Sequence, residues 1–349
     1  MVLVLCLAAV IWGIGIRMKA PVRQRLILIG ILWLAVIVEQ LLLREGHPLR
    51  EATGGSAQVW LAVGLIVALV AGYALGLSAL KRRAQPKIQP DSTPGAAFTP
   101  AELDRYSRHI LLREIGGPGQ RRLKDAKVLV IGAGGLGAPS LLYLAAAGVG
   151  RIGVIDDDTV DSSNLQRQII HADARIGMTK VQSAAEAMRA LNPFVDIRTY
   201  TRRLDEAIAP ELFAGYDLVL DGTDNFDTRY LANRAAVAAQ KPLIAAAITQ
   251  WEGQLSLYDP AHGGPCYECV FPTRPAPGMV PTCAEAGVAG PLPGVLGSMM
   301  ALEAVKQITG AGEGLRGKLL LFDGLHGESR LIHTRKRVDC PVCGSDHPA

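Results

Sequence analysis

The stretch from Lys127 to Ala147 constrains this chain more than any other. Lys127–Ile131 (KVLVI) is an apolar, β-branched run with the length of a buried parallel strand. It passes directly into Gly132-Ala133-Gly134-Gly135-Leu136-Gly137, and Leu141 to Ala147 then carries the small and apolar residues of a packed helix. A strand, a GxGxxG turn and a helix in that order let the backbone approach a phosphate closely, and the helix N-terminus favours its negative charge. Gly132, Gly134, Gly135 and Gly137 are therefore candidate nucleotide contacts. A second strand is expected at Arg151–Ile155, ending in Asp156, 19 residues after Gly137. An acid at that distance, on the tip of the second strand, suits a ribose hydroxyl.

These features predict an α/β domain with a Rossmann-like, mostly parallel sheet and flanking helices. That much would serve any adenine nucleotide, including a nicotinamide dinucleotide in an oxidoreductase. The residues that follow narrow the choice. Asn164-Leu165-Gln166-Arg167-Gln168 comes soon after Asp156-Asp157-Asp158, and Lys180 opens a helical stretch, KVQSAAEAMRAL. Asp217–Asp221 reads as another strand, whose end carries Asp221-Gly222-Thr223-Asp224-Asn225. Ligands of such sheets sit at the carboxyl ends of the strands. Arg167 and Lys180 bring positive charge there, and Asp224 can take a divalent cation. A triphosphate with magnesium needs both kinds of group, and a dinucleotide needs neither so strongly. Taken singly, Arg167 and Lys180 read as solvated surface bases and Asp224 as an N-cap before Phe226. Their clustering beyond strand ends favours the nucleotide.

At this point the chain resembles the ubiquitin-activating-enzyme-like adenylyltransferases, in their MoeB/ThiF/HesA branch. The matching stretches are RYSRHILLREIGGPGQ (105–120), VLVIGAGGLG (128–137), DDDTVDSSNLQRQIIH (156–171), GMTKVQSA (177–184), LDGTDNFDTRYLAN (220–233), GPCYECVFP (264–272), PTCAEAGV (281–288), PGVLGSMMALEAVK (293–306) and CPVCG (340–344). The resemblance covers about residues 102–344 and leaves out residues 1–100. It implies adenylylation of the C-terminal glycine of a ubiquitin-like sulfur carrier with MgATP, releasing pyrophosphate. The carrier would be the molybdopterin synthase small subunit or the thiamine sulfur carrier, with a Gly-Gly C-terminus. Catalysis of that kind is mostly positioning and neutralisation of charge. The resemblance places Gly134 and Gly135 at the phosphates and Asp156 on the ribose, with Asp158 and Asn225 beside the nucleotide. It sets Asn164, Arg167 and Lys180 toward the triphosphate and gives Asp224 the magnesium ion. It sends Arg108 into the ATP site of a neighbouring subunit, which implies a homodimer. Activation of another carboxylate by the same fold, on a modified tRNA nucleoside or a peptide, is the alternative. A non-enzymatic scaffold would have lost site residues, and none is lost.

Six cysteines in 349 residues are too sparse for a disulfide framework. Cys266-x-x-Cys269 and Cys340-x-x-Cys343 are separated by 70 residues, further apart than in a compact zinc ribbon. Each pair alone could be a redox motif. Together, in a cytoplasmic domain, they favour a structural zinc site of four cysteines, which leaves no open position for catalysis. Cys283 lies in VPTCAEAGV after a proline-rich stretch. The matching residue bonds covalently to the carrier in some members of the branch and is dispensable in others. Cys6 reads as a passive apolar residue. No sulfur-transfer domain follows Cys343, so a separate protein is expected to supply sulfur.

The mean hydropathy of +0.23 is high for an enzyme, and three runs near the N-terminus account for it: about residues 2–16, 26–43 and 59–80. The third has 22 residues without a charge, enough for a bilayer span. Arg17, Lys19, Arg23 and Arg25 separate the first two runs, and Lys81, Arg82, Arg83 and Lys87 follow the third. The positive-inside rule then orients three transmembrane helices with everything after residue 81 in the cytoplasm. Residues 1–90 carry +7 and the remainder −3, so the overall +4 is no signal for nucleic acid. The expected organisation is a membrane anchor over 1–83, a proline-rich linker over 84–100 and an adenylyltransferase domain over 101–349. The expected location is a multi-pass protein of the cell membrane.

Overall fold

The three apolar runs near the N-terminus all become helices in the structure, a computed structural model. It describes every residue except Met1, Lys19, Glu45, Gly55, Pro277, Gly278 and residues 85–97, 280–285 and 345–349. The chain divides into two units, Met1–Gly95 and Ala96–Ala349. Most of the expected linker lies outside the described residues.

The first unit contains α1 (Val2–Arg17), α2 (Val22–Leu42), the short α3 (Pro48–Thr53) and α4 (Ala57–Ala84). Two segments, Arg23–Leu42 and Pro48–Val70, are long and apolar enough to cross a membrane. The third expected span, at α1, is not shown: its 16 described residues rise about 24 Å against a hydrocarbon core of about 30 Å. Val4, Val36, Ile37 and Trp60 form a small internal cluster. At Gly64 a Cβ would lie 2.2 Å from the Trp33 ring, so only glycine admits the close crossing of α2 and α4. Where α2 gives way to α3, Gln40 Nε2 donates to Thr53 Oγ1 at 2.8 Å and to the Arg50 carbonyl at 3.0 Å. This network satisfies the buried Gln40 amide.

The second unit is built on one sheet. Its strands are β1 (Lys127–Ile131), β2 (Arg151–Ile155), β3 (Asp196–Tyr200), β4 (Leu218–Asp221), β5 (Leu243–Ile248), β6 (Glu252–Tyr258), β7 (Lys318–Asp323) and β8 (Glu328–His333). Among the described residues the sheet has eight strands in the order β3-β2-β1-β4-β5-β6-β7-β8. Pairing is parallel from β3 to β5 and antiparallel from β5 to β8, so the sheet is mixed rather than mostly parallel. The helices are α5 (Pro100–Ile110), α6 (Gly116–Asp125), α7 (Gly137–Ala147), α8 (Lys180–Leu191), α9 (Ala209–Ala214), α10 (Phe226–Ala238), α11 (Tyr267–Val270) and α12 (Pro291–Thr309).

Alternation along β1 divides the core. Val128 and Val130 pack with Leu141 and Leu144 of α7, Met188 of α8 and Met300 of α12 on one face. Leu129 and Ile131 pack with Phe213 of α9 and Ala232 of α10 on the other. A sheet covered on both faces explains why its central strands read as continuous apolar runs. The strand order reverses between β1 and β4, and both strands end at the same edge of the sheet. A crevice opens at such a reversal, and it is where ligands bind.

Candidate active site

The turn after β1 is shaped by what its glycines lack. Gly132 has φ +88°, and a Cβ on Gly137 would lie 1.9 Å from the Gly132 carbonyl oxygen. Any side chain at 137 would push the turn away from the start of α7. Gly134 has only the Gln168 amide near it, at 3.8 Å from a notional Cβ, which leaves room for a ligand. No side chain caps α7, Ala138 N–H is taken by the Gly134 carbonyl at 2.9 Å and Pro139 has no N–H, so an anion would meet the amides of the glycine turn and the positive end of the helix.

Asp156, at the tip of β2, is fixed by two backbone donors. Ala133 N–H donates to Oδ2 at 2.7 Å and Asp158 N–H to Oδ1 at 2.9 Å. Burial raises its pKa above the ordinary aspartate value, although both donors act against the shift. Lys180 is buried at the start of α8, and its Nζ donates to Asp158 Oδ2 at 2.6 Å. Arg167 Nη2 donates to Asn164 Oδ1 at 2.9 Å.

The loop after β4 separates two jobs. Asn225 Oδ1 accepts from Thr228 N–H at 2.9 Å and so caps α10. Asp224 is thereby excused from capping, lies exposed, and has no hydrogen-bond or ion-pair partner among the described residues. Asp221 braces this loop through Oδ1, which accepts from Thr223 N–H at 2.9 Å and Thr223 Oγ1 at 2.6 Å. Arg229, buried on α10, donates to the Thr223 carbonyl from the other side.

These groups meet in a cleft of about 1110 Å³ at the reversal of strand order. Gly132, Gly134, Gly135, Asp156, Asp158, Arg167, Lys180, Asp224 and Asn225 all line it. Three expected residues do not. Gly137 sits behind the turn it closes, and Asn164 reaches the cleft only through Arg167. Arg108 is exposed on the last turn of α5, outside the cleft lining. Cys283 lies outside the described residues. Sequence pattern alone does not single out Gln168, Arg203 and Arg229, which also line the cleft. Arg229 has a usable signal: an arginine four residues after the cap, on a helix whose neighbouring residues are made for packing. Nor does pattern mark His171, which is buried and bonds Ser183 Oγ through Nδ1 at 2.9 Å and the Ala133 carbonyl through Nε2 at 3.0 Å. A carbonyl only accepts, so the proton sits on Nε2 and Ser183 donates to Nδ1. Burial lowers the pKa of His171, and the neighbouring Lys180 and Arg175 add to that.

The two cysteine pairs converge, although 70 residues part them. Sγ–Sγ distances are 3.8 Å for Cys266–Cys269, 3.6 Å for Cys266–Cys340 and 3.4 Å for Cys269–Cys343. All four sulfurs lie within 4.8 Å of one another, which fits a tetrahedral ion with metal–sulfur bonds of about 2.3 Å. Burial and the neighbouring sulfurs raise the Cys266 pKa, and Cys343 is pushed up to about 11. Four thiols crowded in this way gain most from a cation that holds them as thiolates. Behind them, buried Glu268 accepts from Arg234 Nε at 3.0 Å.

Comparison with known proteins settles the family. The ThiF family model matches residues 106–342, which is more than half of the chain and lies within the second unit. This chain belongs to the ThiF family. It is 50% identical over 253 residues to the sulfur carrier protein adenylyltransferase of Thermus thermophilus, covering 71% of this chain and 93% of that protein. It is 48% identical over 243 residues to the SAMP-activating enzyme E1 of Haloferax volcanii, covering 70% and 89%. Over 257 residues it is 51% identical to a Mycobacterium tuberculosis protein named "Probable adenylyltransferase/sulfurtransferase MoeZ", covering 73% of this chain but only 66% of that one. Among solved structures, Escherichia coli MccB with ATP shares the fold at TM-score 0.60 and 24% identity, over 69% of this chain and 74% of that one. PaaA shares it at TM-score 0.62 and 23% identity, over 86% and 90%. The ThiF-family match therefore spans the residues that line the cleft and three of the four clustered cysteines, and stops short of the first unit.

Proposed function

We propose that this chain adenylylates the C-terminal glycine of a ubiquitin-like sulfur carrier, consuming ATP and releasing pyrophosphate. One observation carries the reading: a single cleft joins an anchored carboxylate, a glycine turn, two cations and an unpartnered carboxylate. Asp156 accepts from the ribose. The glycine turn, at the positive end of α7, receives phosphate oxygens. Arg167 and Lys180 neutralise charge as the carrier carboxylate attacks the α-phosphorus and the pyrophosphate departs. Asp224 would hold magnesium, which supplies further neutralisation when bound. The reaction asks for alignment of a weak nucleophile with a charged electrophile, and rigid strand tips provide it.

The same reading assigns Arg108 to the cleft of a second subunit and the four-cysteine cluster to structural zinc. It places the first unit in the cell membrane as an anchor, with the catalytic unit on the cytoplasmic face. Support for the anchor is that only 17% and 12% of the two apolar windows are buried within the protein. A soluble helical hairpin would turn those side chains inward.

The test uses the full chain with MgATP and a Gly-Gly-tailed carrier from the same cell. Carrier-dependent pyrophosphate release that vanishes when the last glycine is deleted is expected. Release stimulated by tRNA or by a short peptide, with no carrier response, would overturn the assignment in favour of another carboxylate.

A further inference from the structure

A second cavity, of about 270 Å³, lies apart from the nucleotide cleft and shares none of its lining residues. Three segments meet there: the turn His262–Pro265, Arg316-Gly317 ahead of β7, and Thr334–Lys336 after β8. The lining carries His262, Arg316, Arg335 and Lys336 and no acidic residue. Surface bases usually point into water independently of one another. Here two of them are set in place by one carboxylate.

Asp259 is fully buried. Its Oδ2 accepts from Arg316 Nε at 3.1 Å and Nη2 at 2.8 Å, and its Oδ1 lies 2.9 Å from His262 Nδ1. Its main-chain carbonyl accepts from His262 N–H at 3.2 Å and Gly264 N–H at 3.0 Å, which fixes the turn itself. With Nδ1 engaged, His262 keeps Nε2 for another partner, and Arg316 keeps Nη1. Thr334 Oγ1 is buried and has no hydrogen-bond partner among the described residues. A hydroxyl in that state is costly unless a ligand oxygen completes it.

We propose that this cavity binds a phosphate monoester group. Arg316, Arg335 and Lys336 against Asp259 leave a surplus of two positive charges, matching a group that carries about −1.5 to −2 near neutral pH. Guanidinium, ammonium and hydroxyl groups from two of the three segments line the cavity, and a phosphate presents three terminal oxygens to receive them. A carboxylate would leave both charge and donors unmatched. Buried Asp259 supplies the support that keeps such a site from being a loose surface patch. A soluble phosphoester and the phosphate headgroup of a lipid share this chemistry.

The experiment places the full chain in nanodiscs of neutral phosphatidylcholine, with a non-hydrolysable ATP analogue added to saturation, and measures binding of radiolabelled inorganic phosphate by equilibrium dialysis. Saturable binding is expected, weakened at least tenfold in Arg335→Ala/Lys336→Ala, with analogue affinity unchanged. Both residues are exposed, so the double variant keeps its fold. Thr334→Val, which alters no charge, is expected to weaken phosphate several-fold and so separates a built site from diffuse attraction. Discs containing phosphatidic acid that abolish phosphate binding identify a lipid headgroup as the occupant, and discs that leave it unchanged identify a soluble phosphoester. Phosphate binding that is unsaturable, or equal in wild type and the double variant, would overturn the proposal.

Discussion

Asp224 and Asn225 are adjacent and polar, and both are acceptable helix caps by composition, yet only one serves as a cap. The consequence is measurable. Asn225→Ala should destabilise the chain by about 1 kcal/mol through loss of the α10 cap. Asp224→Ala should change stability by no more than about 0.5 kcal/mol, as expected of an exposed residue without partners. Thermal unfolding of both variants in the same detergent tests the separation. His171 makes a second residue-scale prediction. Its pKa is lowered by burial, so the unfolded chain takes up a proton that the folded chain refuses. Stability should then fall as pH drops below the ordinary histidine value of about 6.5. His171→Gln should flatten that part of the pH profile, and an unchanged slope would show that other groups carry it.

At the scale of elements, legibility follows burial. β1 and β2 and helix α8 occupy the residues that their patterns predict, because strands covered on both faces and amphipathic helices carry strong apolar signals. The antiparallel half from β6 to β8 leaves a weaker trace in the sequence. β8 is exposed along its whole length and has no buried face to impose alternation. The cleft is legible where the chemistry-bearing residues crown the tips of buried strands. It is not legible where residues act as braces, as with Asp221, Arg229 and His171, whose importance lies in contacts made across elements. The cysteine knuckle belongs to this scale too. It joins α11 to the segment after β8, so removing a bound ion should loosen both ends. We expect about one zinc per chain and a lower unfolding temperature after chelation. Protein purified without chelators that holds well under one zinc would count against the site.

Taken whole, the molecule joins a basic first unit at +6 to a mildly acidic second unit at −2, the asymmetry expected of the proposed anchor, whose flanking lysines and arginines would stay on the cytoplasmic side. Membranes washed with alkaline carbonate should retain the chain, and its release into the wash would contradict a transmembrane anchor. The ThiF-family unit is independent of that outcome, since the described residues that line its cleft all lie within the second unit. The most direct test of the account is ATP–pyrophosphate exchange by the full chain with a Gly-Gly-tailed carrier. Wild type should catalyse exchange only when the carrier is present, and Asp224→Ala, folded and equally stable, should lose it. Exchange at the wild-type rate in Asp224→Ala, or none in the wild type with any carrier from the same cell, would contradict the account.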